Sequence, residues 1–304
     1  MNQKKNQELI EKIKDRAKRS LKIKEVYLES KTYDKAREYL KKQKYLEYSK
    51  VSSILKNNFE PKYPIAYIME DQNDNVVGFM GTIFSKRVLN NNERIYCNIH
   101  SWIVNKDQRL NSFFLLTSLP EENITFTAFT PIKTLVGLLE KFDFQKINIK
   151  YKVVPLFDFL SFFKTNNFTV EREQSNFQKK LNKHDFKIYQ NYKNLPYEKF
   201  IITNNIDKSN YIFVVASKIR KKGLNVLNLF YVSNKEEFKK KWHKLKTNIS
   251  KEFKVKFALH YFFDNSDSIF PGSVVISKTI EQEICVKNLS ESKDLDIIYS
   301  DLVE

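Results

Sequence analysis

Residues 78–109, "GFMGTIFSKRVLNNNERIYCNIHSWIVNKDQR", read as a strand holding two close glycines, a polar turn, a second strand and a loop that reaches an arginine. Upstream, "IAYIMED" (65–71) and the turn "QNDN" (72–75) pair with the first of these strands as a hairpin. Before them, "LKIKEVYLES" (21–30) alternates apolar and polar residues as a strand does. "TYDKAREYLKKQKYLEYSKVSSILKNNF" (32–59) carries Tyr33, Ala36, Tyr39, Leu40, Val51, Ile54 and Leu55 at helical spacing. Two helices parted near Gln43 account for that run, and "EPKYP" (60–64) ends it, because Pro61 and Pro64 cannot continue a helix. Downstream come an apolar helix "LNSFFLLTSL" (110–119), a strand "NITFTAFT" (123–130), a helix "PIKTLVGLLEKF" (131–142) opened by Pro131, and a strand "KINIKYKVVP" (146–155).

The order β, α, α, β, β, β, α, β, α, β predicts an α+β fold: a mixed, mostly antiparallel central sheet flanked by helices. The first domain spans 21–155, after a basic arm at 1–20. The second, 156–304, contains "NYIFVVASKIRKKGLNVLNLFYVSN" (210–234), the helix "KEEFKKKWHKLKTNISKEF" (235–253) with Phe238, Trp242, Leu245 and Ile249 on its inner face, and the strand "KVKFALHYFF" (254–263). This β-β-α-β order repeats that of residues 76–130 with little sequence identity, so two similar units are expected.

Composition sets limits on function. The 304 residues are 41% hydrophobic with 25 Phe and 16 Tyr, which suits a packed globular chain. The net charge of +17 is compatible with an anionic partner, but a lysine-rich solvated surface is the reading preferred for it. Without a dense Arg and aromatic patch, the chain does not read as a nucleic-acid binder. Two cysteines, Cys97 and Cys285, and four scattered histidines give no metal-ligand spacing, so no metal is expected. No window is long and apolar enough to span a membrane, and a cytoplasmic location is expected. The apolar run "VVPLFDFLSFF" (153–163) is read as a core segment.

This order of parts resembles the GNAT superfamily of acyl-CoA N-acyltransferases. The resemblance rests on "SWIVNKDQRLNSFFLL" (101–116), where a central strand closes at Trp102, Ile103 and Val104 and a loop opened by Arg109 leads into a helix. It implies that acetyl-CoA or another acyl-CoA lies along strand 95–104 and at the start of helix 111–119, held by Trp102, Ile103, Val104, Arg109, Leu110, Asn111 and Ser112. An anion suits such a helix start, because free N–H groups and the helix dipole point at it. The family loop has glycines where this chain has Ser112 and Phe114, and Phe114 would block a close phosphate approach. The family's acid tyrosine corresponds to Leu139, which leaves Thr130 or water to protonate the departing thiolate.

Transfer is then expected to be direct, since no cysteine or serine stands in a nucleophile setting. The acceptor is an amine or hydroxyl of a small molecule or sugar nucleotide, phosphorylated acceptors included, and the second half shapes its site. Alternation places Asn98, His100 and Trp102 on one face of the strand and Ile99, Ser101 and Ile103 on the other. His100 is therefore either a general base facing the cleft or a hydrogen-bonded structural histidine. The competing function is a non-catalytic GNAT-like binding module or a basic nucleic-acid-binding protein.

Overall fold

The structure, a computed structural model, describes residues 21–44, 46, 51, 54–56, 59–89, 92–120, 123–129, 131–156, 167–206, 210–221, 223–263, 269–270, 278–289 and 297–299. The expected arm at 1–20, most of the second helix of 32–59, Thr130 and most of the run 153–163 lie outside them. The chain forms two compact units, one of 1–146 with 283–289 and 299–304, the other of 147–282 with 290–298.

The first unit begins with β1 (Lys22–Val26) and α1 (Lys31–Lys41). Ser30 caps α1 by accepting a hydrogen bond from the Tyr33 amide at 3.2 Å, and the helix buries Ala36, Tyr39 and Leu40. Strands β2 (Ala66–Glu70), β3 (Val76–Leu89), β4 (Asn92–Val104) and β5 (Ile124–Ala128) follow. The β2–β3 turn is built by Asp71, whose carboxylate accepts from the amides of Asn73 and Asn75, both at 2.9 Å. Neighbouring strands pair antiparallel from β1 to β4, while β4 and β5 are parallel. The last strand, β12 (Lys278–Lys287), lies antiparallel on β5 through Cys285–Lys287.

Each face of this sheet has its own core. Tyr67, Met69, Met80, Phe84 and Cys97 pack on one face with Phe114, Leu115, Val136 and Leu139. On the other, Phe79 and Ile68 pack with Ala36, Leu40, Val51, Ile54 and Leu55, so these five helical-period residues are buried as expected.

The second unit runs through β6 (Gln145–Pro155, from Ile147 onward), β7 (Phe168–Glu171), α4 (Phe177–Lys180), α5 (Lys183–Tyr192), β8 (Glu198–Asn204), β9 (Tyr211–Lys221), β10 (Leu224–Val232), α6 (Lys235–Phe253) and β11 (Phe257–Phe263). Its strands pair in the order β6, β11, β10, β9, β8, β7, with β10 and β11 parallel and the rest antiparallel. The path from β7 to β11 has the same order and pairing as that from β1 to β5, so the expected repetition of the fold is present. Helix α6 is capped by Asn234, which accepts from the Glu237 amide at 3.0 Å, and buries Phe238, Trp242, Leu245, Ile249 and Phe253. Full burial of each such side chain contributes about 1.5–3 kcal/mol.

The division falls at Lys146 and not at Pro155. Strand β6 pairs with β11 over Ile149–Pro155, whereas the outer edge of β5 is occupied by Cys285–Lys287. Two extended segments have thereby exchanged the places their position in the chain suggests.

Candidate functional site

Strands β4 and β5 pair over only four rungs, Ile95–Asn98 against Ile124–Thr127. Beyond Asn98 they part, and β4 continues to Val104 paired, among the described residues, with β3, whose Gly78 lies opposite Val104. At the fork Thr127 Oγ1 lies 3.4 Å from Asn98 Oδ1. The gap opens a cleft of about 1010 Å³. Its walls are the free β4 edge from Ile99 to Val104, the turn that follows, and α3 (Lys133–Lys141), which presents Leu135 and Leu138. This volume is at the upper end of the ~300–1,000 Å³ that small-molecule sites occupy.

A bulge sits in β4 beside the cleft. Gly81 is opposite His100 and Phe79 is opposite Ile103, so two steps on β3 face three on β4. The additional residue is taken up at Ser101, whose φ of 47° is in the left-handed region. Strict alternation therefore fails here. Ile103 packs with Phe79 on the α1 face, whereas Trp102 and Val104 pack with Ile99 and Met80 on the α3 face. His100 shares the face of Gly81 and Phe79, so His100 and Trp102 lie on opposite faces, contrary to the alternation expected from sequence.

His100 is 9% exposed, and its imidazole fills the space that Gly81 leaves by lacking a Cβ. Its Nδ1 lies 3.2 Å from Ser101 Oγ, and its Nε2 is buried without a hydrogen-bond partner. Burial lowers its pKa from the ordinary 6.5 to about 3, so the ring is neutral at physiological pH. A general base titrating near 6.5 is not what the structure holds. Trp102 Nε1 is likewise buried without a partner. Each face of the fork thus carries one orphaned polar atom, and such atoms are rare enough in native structures to need an explanation.

After β4, Lys106–Asn111 form a single 3-10 stretch, and the α-helix α2 covers only Phe114–Thr117. The expected helix 111–119 is therefore one α-turn behind a tight turn. Phe113 and Phe114 are buried in the core, so Phe114 does not obstruct the loop. The turn is anchored by Asn105, whose amide donates to Val77 O at 2.9 Å and whose Oδ1 accepts from Tyr39 Oη at 3.1 Å.

His100, Trp102, Ile103, Val104, Arg109 and Ser112 line the cleft. Leu110 and Asn111 do not. Leu110 points into solvent at 90% exposure, and Asn111 braces the turn by donating to Gln108 Oε1 at 2.9 Å. Thr130 is outside the described residues. Leu139 is fully buried, so no acid stands at its position. Ser101, Gln43 and Lys106 line the cleft as well and had no signal in sequence. Among the described residues, no cluster of His, Cys, Asp or Glu could hold a metal, and no helix is long and apolar enough to cross a membrane.

The second unit repeats the parallel pairing and the irregularity beside it. Strands β10 and β11 pair over Val226–Leu229, and an irregularity in β10 follows at once between Leu229 and Tyr231. Leu229 opposite Ala216 precedes this irregularity as His100 opposite Gly81 precedes the bulge in β4, but by parallel pairing Leu229 is the last rung, as Asn98 is in the first unit.

No protein-family model and no curated protein matches the chain. Solved structures do. A conserved protein from Enterococcus faecalis V583, described as a probable N-acyltransferase, superposes with a TM-score of 0.56 at 9% identity, over 87% of this chain and 71% of that one. A GCN5-related N-acetyltransferase from Anabaena variabilis ATCC 29413 superposes with 0.55 at 10% identity, over 88% and 72%. One from Kribbella flavida superposes with 0.52 at 11% identity, over 88% and 70%. The chain has the GNAT fold.

Proposed function

We propose that the protein is an acyl-CoA dependent acyltransferase whose thioester substrate enters the fork between β4 and β5. The observation that carries this reading is the fork itself. A strand edge free of its parallel neighbour from Ile99 to Val104 offers backbone N–H and C=O groups to an extended amide-bearing chain such as pantetheine. Lys106 and Arg109 line the same cleft beyond the strand's end and supply positive charge for the CoA phosphates. The apolar wall of Leu135 and Leu138 suits the methylene portion of the arm.

Transfer in this reading is direct. The acceptor amine or hydroxyl attacks the thioester carbonyl carbon, the carbon–sulfur bond breaks, and the proton lost by the acceptor balances the thiolate released. Acetyl-CoA is the first acyl donor to test, with a small-molecule acceptor, phosphorylated ones included. The cleft is served by His100 and the β4 edge, and a role for Thr130 as proton donor belongs to the same proposal. The cofactor-binding unit in this reading is the first one, whose cleft is lined by His100, Lys106 and Arg109.

Titration calorimetry and thermal shift with acetyl-CoA test this. Binding to the native state raises the melting temperature, by an amount that grows with the logarithm of ligand concentration. Arg109→Ala is expected to weaken binding and flatten its salt dependence. No binding of acetyl-CoA, longer acyl-CoA esters or CoA at millimolar concentration sinks the reading and leaves a non-catalytic module of this fold.

A further inference from the structure

We propose that His100 works as a neutral hydrogen-bond donor, holding the thioester carbonyl oxygen through Nε2–H while Ser101 fixes the tautomer. The inference rests on the proposed function, since it concerns the same cleft, and gives His100 a chemical role that the fork alone does not.

Three observations lead to it. First, the ring is held in one place. It lies against the Cα of Gly81 so closely that a Cβ there would come within 2.2 Å of Cε1, 2.6 Å of Nδ1 and 2.6 Å of Nε2. Second, the two ring nitrogens are in different situations. Nδ1 has the Ser101 hydroxyl at 3.2 Å, while Nε2 is buried, has no protein partner and belongs to a residue lining the cleft. A buried polar atom without a partner has lost its water and gained nothing in return, a cost that a ligand atom bonding to it recovers. Third, the bulge that turns His100 away from Trp102 is the place where Ser101 takes its positive φ. The same backbone irregularity therefore sets both the ring's face and the hydroxyl that meets Nδ1.

Chemistry decides between donor and base. A group that burial keeps neutral down to about pH 3 is a poor receiver for a proton from an amine or hydroxyl. As a donor it loses nothing by being neutral. When the serine hydroxyl donates to Nδ1, the ring proton resides on Nε2, the nitrogen left without a protein partner. As the nucleophile attacks, the carbonyl π pair moves onto oxygen, and Nε2–H stabilises the negative charge there. As the pair returns, the carbon–sulfur bond breaks and the thiolate leaves, with His100 neutral throughout. Removing one such donor typically costs about 100- to 1,000-fold in turnover. The charged residues lining the cleft are Lys106, Asp107 and Arg109; Gly81 and Phe79 on β3 and Gln43 near the end of α1 add no titrating group.

The test uses the full chain and acetyl-CoA labelled with 13C at the carbonyl. Calorimetry establishes binding, and difference infrared spectroscopy reads the bound carbonyl stretch. A hydrogen bond to the oxygen lowers that stretch relative to free acetyl-CoA. The expected result is a lowered stretch in the wild type, unchanged between pH 5.5 and 8.5, lost in His100→Ala and partly restored in His100→Gln, whose amide N–H can donate. Circular dichroism confirms that the variants fold, and His100→Gln alone suffices if the alanine variant does not. Binding with an unshifted stretch, or a shift that persists without a donor at 100, overturns the inference and leaves the acyltransferase reading standing. A stretch that titrates near pH 6.5 overturns it too. Failure of every acyl-CoA to bind overturns both together.

Discussion

Gly81 and His100 compete for one volume: the imidazole of His100 occupies the space in which any side chain at 81 would begin, with Cε1 2.2 Å from an ideal Cβ. The glycine is needed for what it leaves room for on the neighbouring strand, and not for a turn. Gly81→Ala is therefore expected to force the ring aside, destabilising the fold by about 1–3 kcal/mol as overpacking does. Gly81→Ala combined with His100→Ala should be more stable than the sum of the single changes. Urea denaturation of the four proteins measures the coupling, and additive effects would show that the contact is easily relaxed.

The same histidine links stability to pH. Its folded pKa, about 3, lies below its unfolded value near 6.5. The unfolded chain therefore binds the proton more readily between these values. The stability contribution is complete above about pH 6.5 and is lost as pH falls toward 3, with a slope of up to about 1.4 kcal/mol per pH unit for one proton. His260 in the second unit is depressed to about 3 as well, by burial first and then by Lys235. His100→Gln should remove one proton's share of the acid-side slope and leave that of His260. An unchanged slope would mean that His100 already reaches solvent.

Glu70 makes the opposite case of a buried charge with partners. Its side chain is fully buried, with Lys24 Nζ at 2.6 Å and Lys35 Nζ at 2.7 Å. Burial alone would raise its pKa, but the two ammonium groups outweigh burial and hold it below the ordinary 4.5. Its contribution is present above that value and fades as pH falls through the depressed folded pKa. Either lysine can be replaced by methionine at modest cost while the other remains. Replacing both leaves a buried carboxylate alone, at a cost of about 3–5 kcal/mol, and acid unfolding should then begin at higher pH. Equal losses for the single and double variants would contradict this.

Tyr39 tests how the turn beyond β4 is held. Its hydroxyl reaches Asn105 Oδ1 at 3.1 Å and Val77 O at 3.3 Å, joining α1 to the start of the turn. Tyr39→Phe is expected to cost about 1 kcal/mol. Hydrogen exchange at the amides of 106–112 should accelerate while that of β3 stays slow. If exchange in the turn does not change, the anchor is the Asn105 amide bond to Val77 alone.

What sequence could and could not show follows from the range of the interactions. Strands β1 to β6 and β9 to β11, and the buried face of α6 from Phe238 to Ile249, are local patterns of period 2 or 3.6 and are found where that pattern puts them, whereas β7, β8 and β12 are not among the strands expected from sequence. "NSFFLL" is a short apolar run, which fits a long helix as well as a tight turn with one helical turn behind it. The bulge at Ser101 has no sequence signal, because one additional residue in one strand shows only against its partner. That single residue turned the face of His100. The placement of Leu110 and Asn111 away from the cleft follows from the 3-10 turn in the same way. The pairing of Cys285–Lys287 with β5 is non-local, and nothing in residues 120–130 announces it.

That last pairing has a consequence for the order in which the chain is made. On the ribosome, β5 emerges long before residues 285–287, at a pace of about 5–20 residues per second. During that interval the edge formed by Phe126, Thr127 and Ala128 lacks its final neighbour. An open strand edge is a template for pairing with other chains. The unit that carries the cleft cannot be finished until residues 285–287 have been synthesised, although most of its own residues come first. Nascent chains stalled after residue 155 should therefore stay protease-sensitive around β5, where a fragment ending near Lys146 looks complete only on paper.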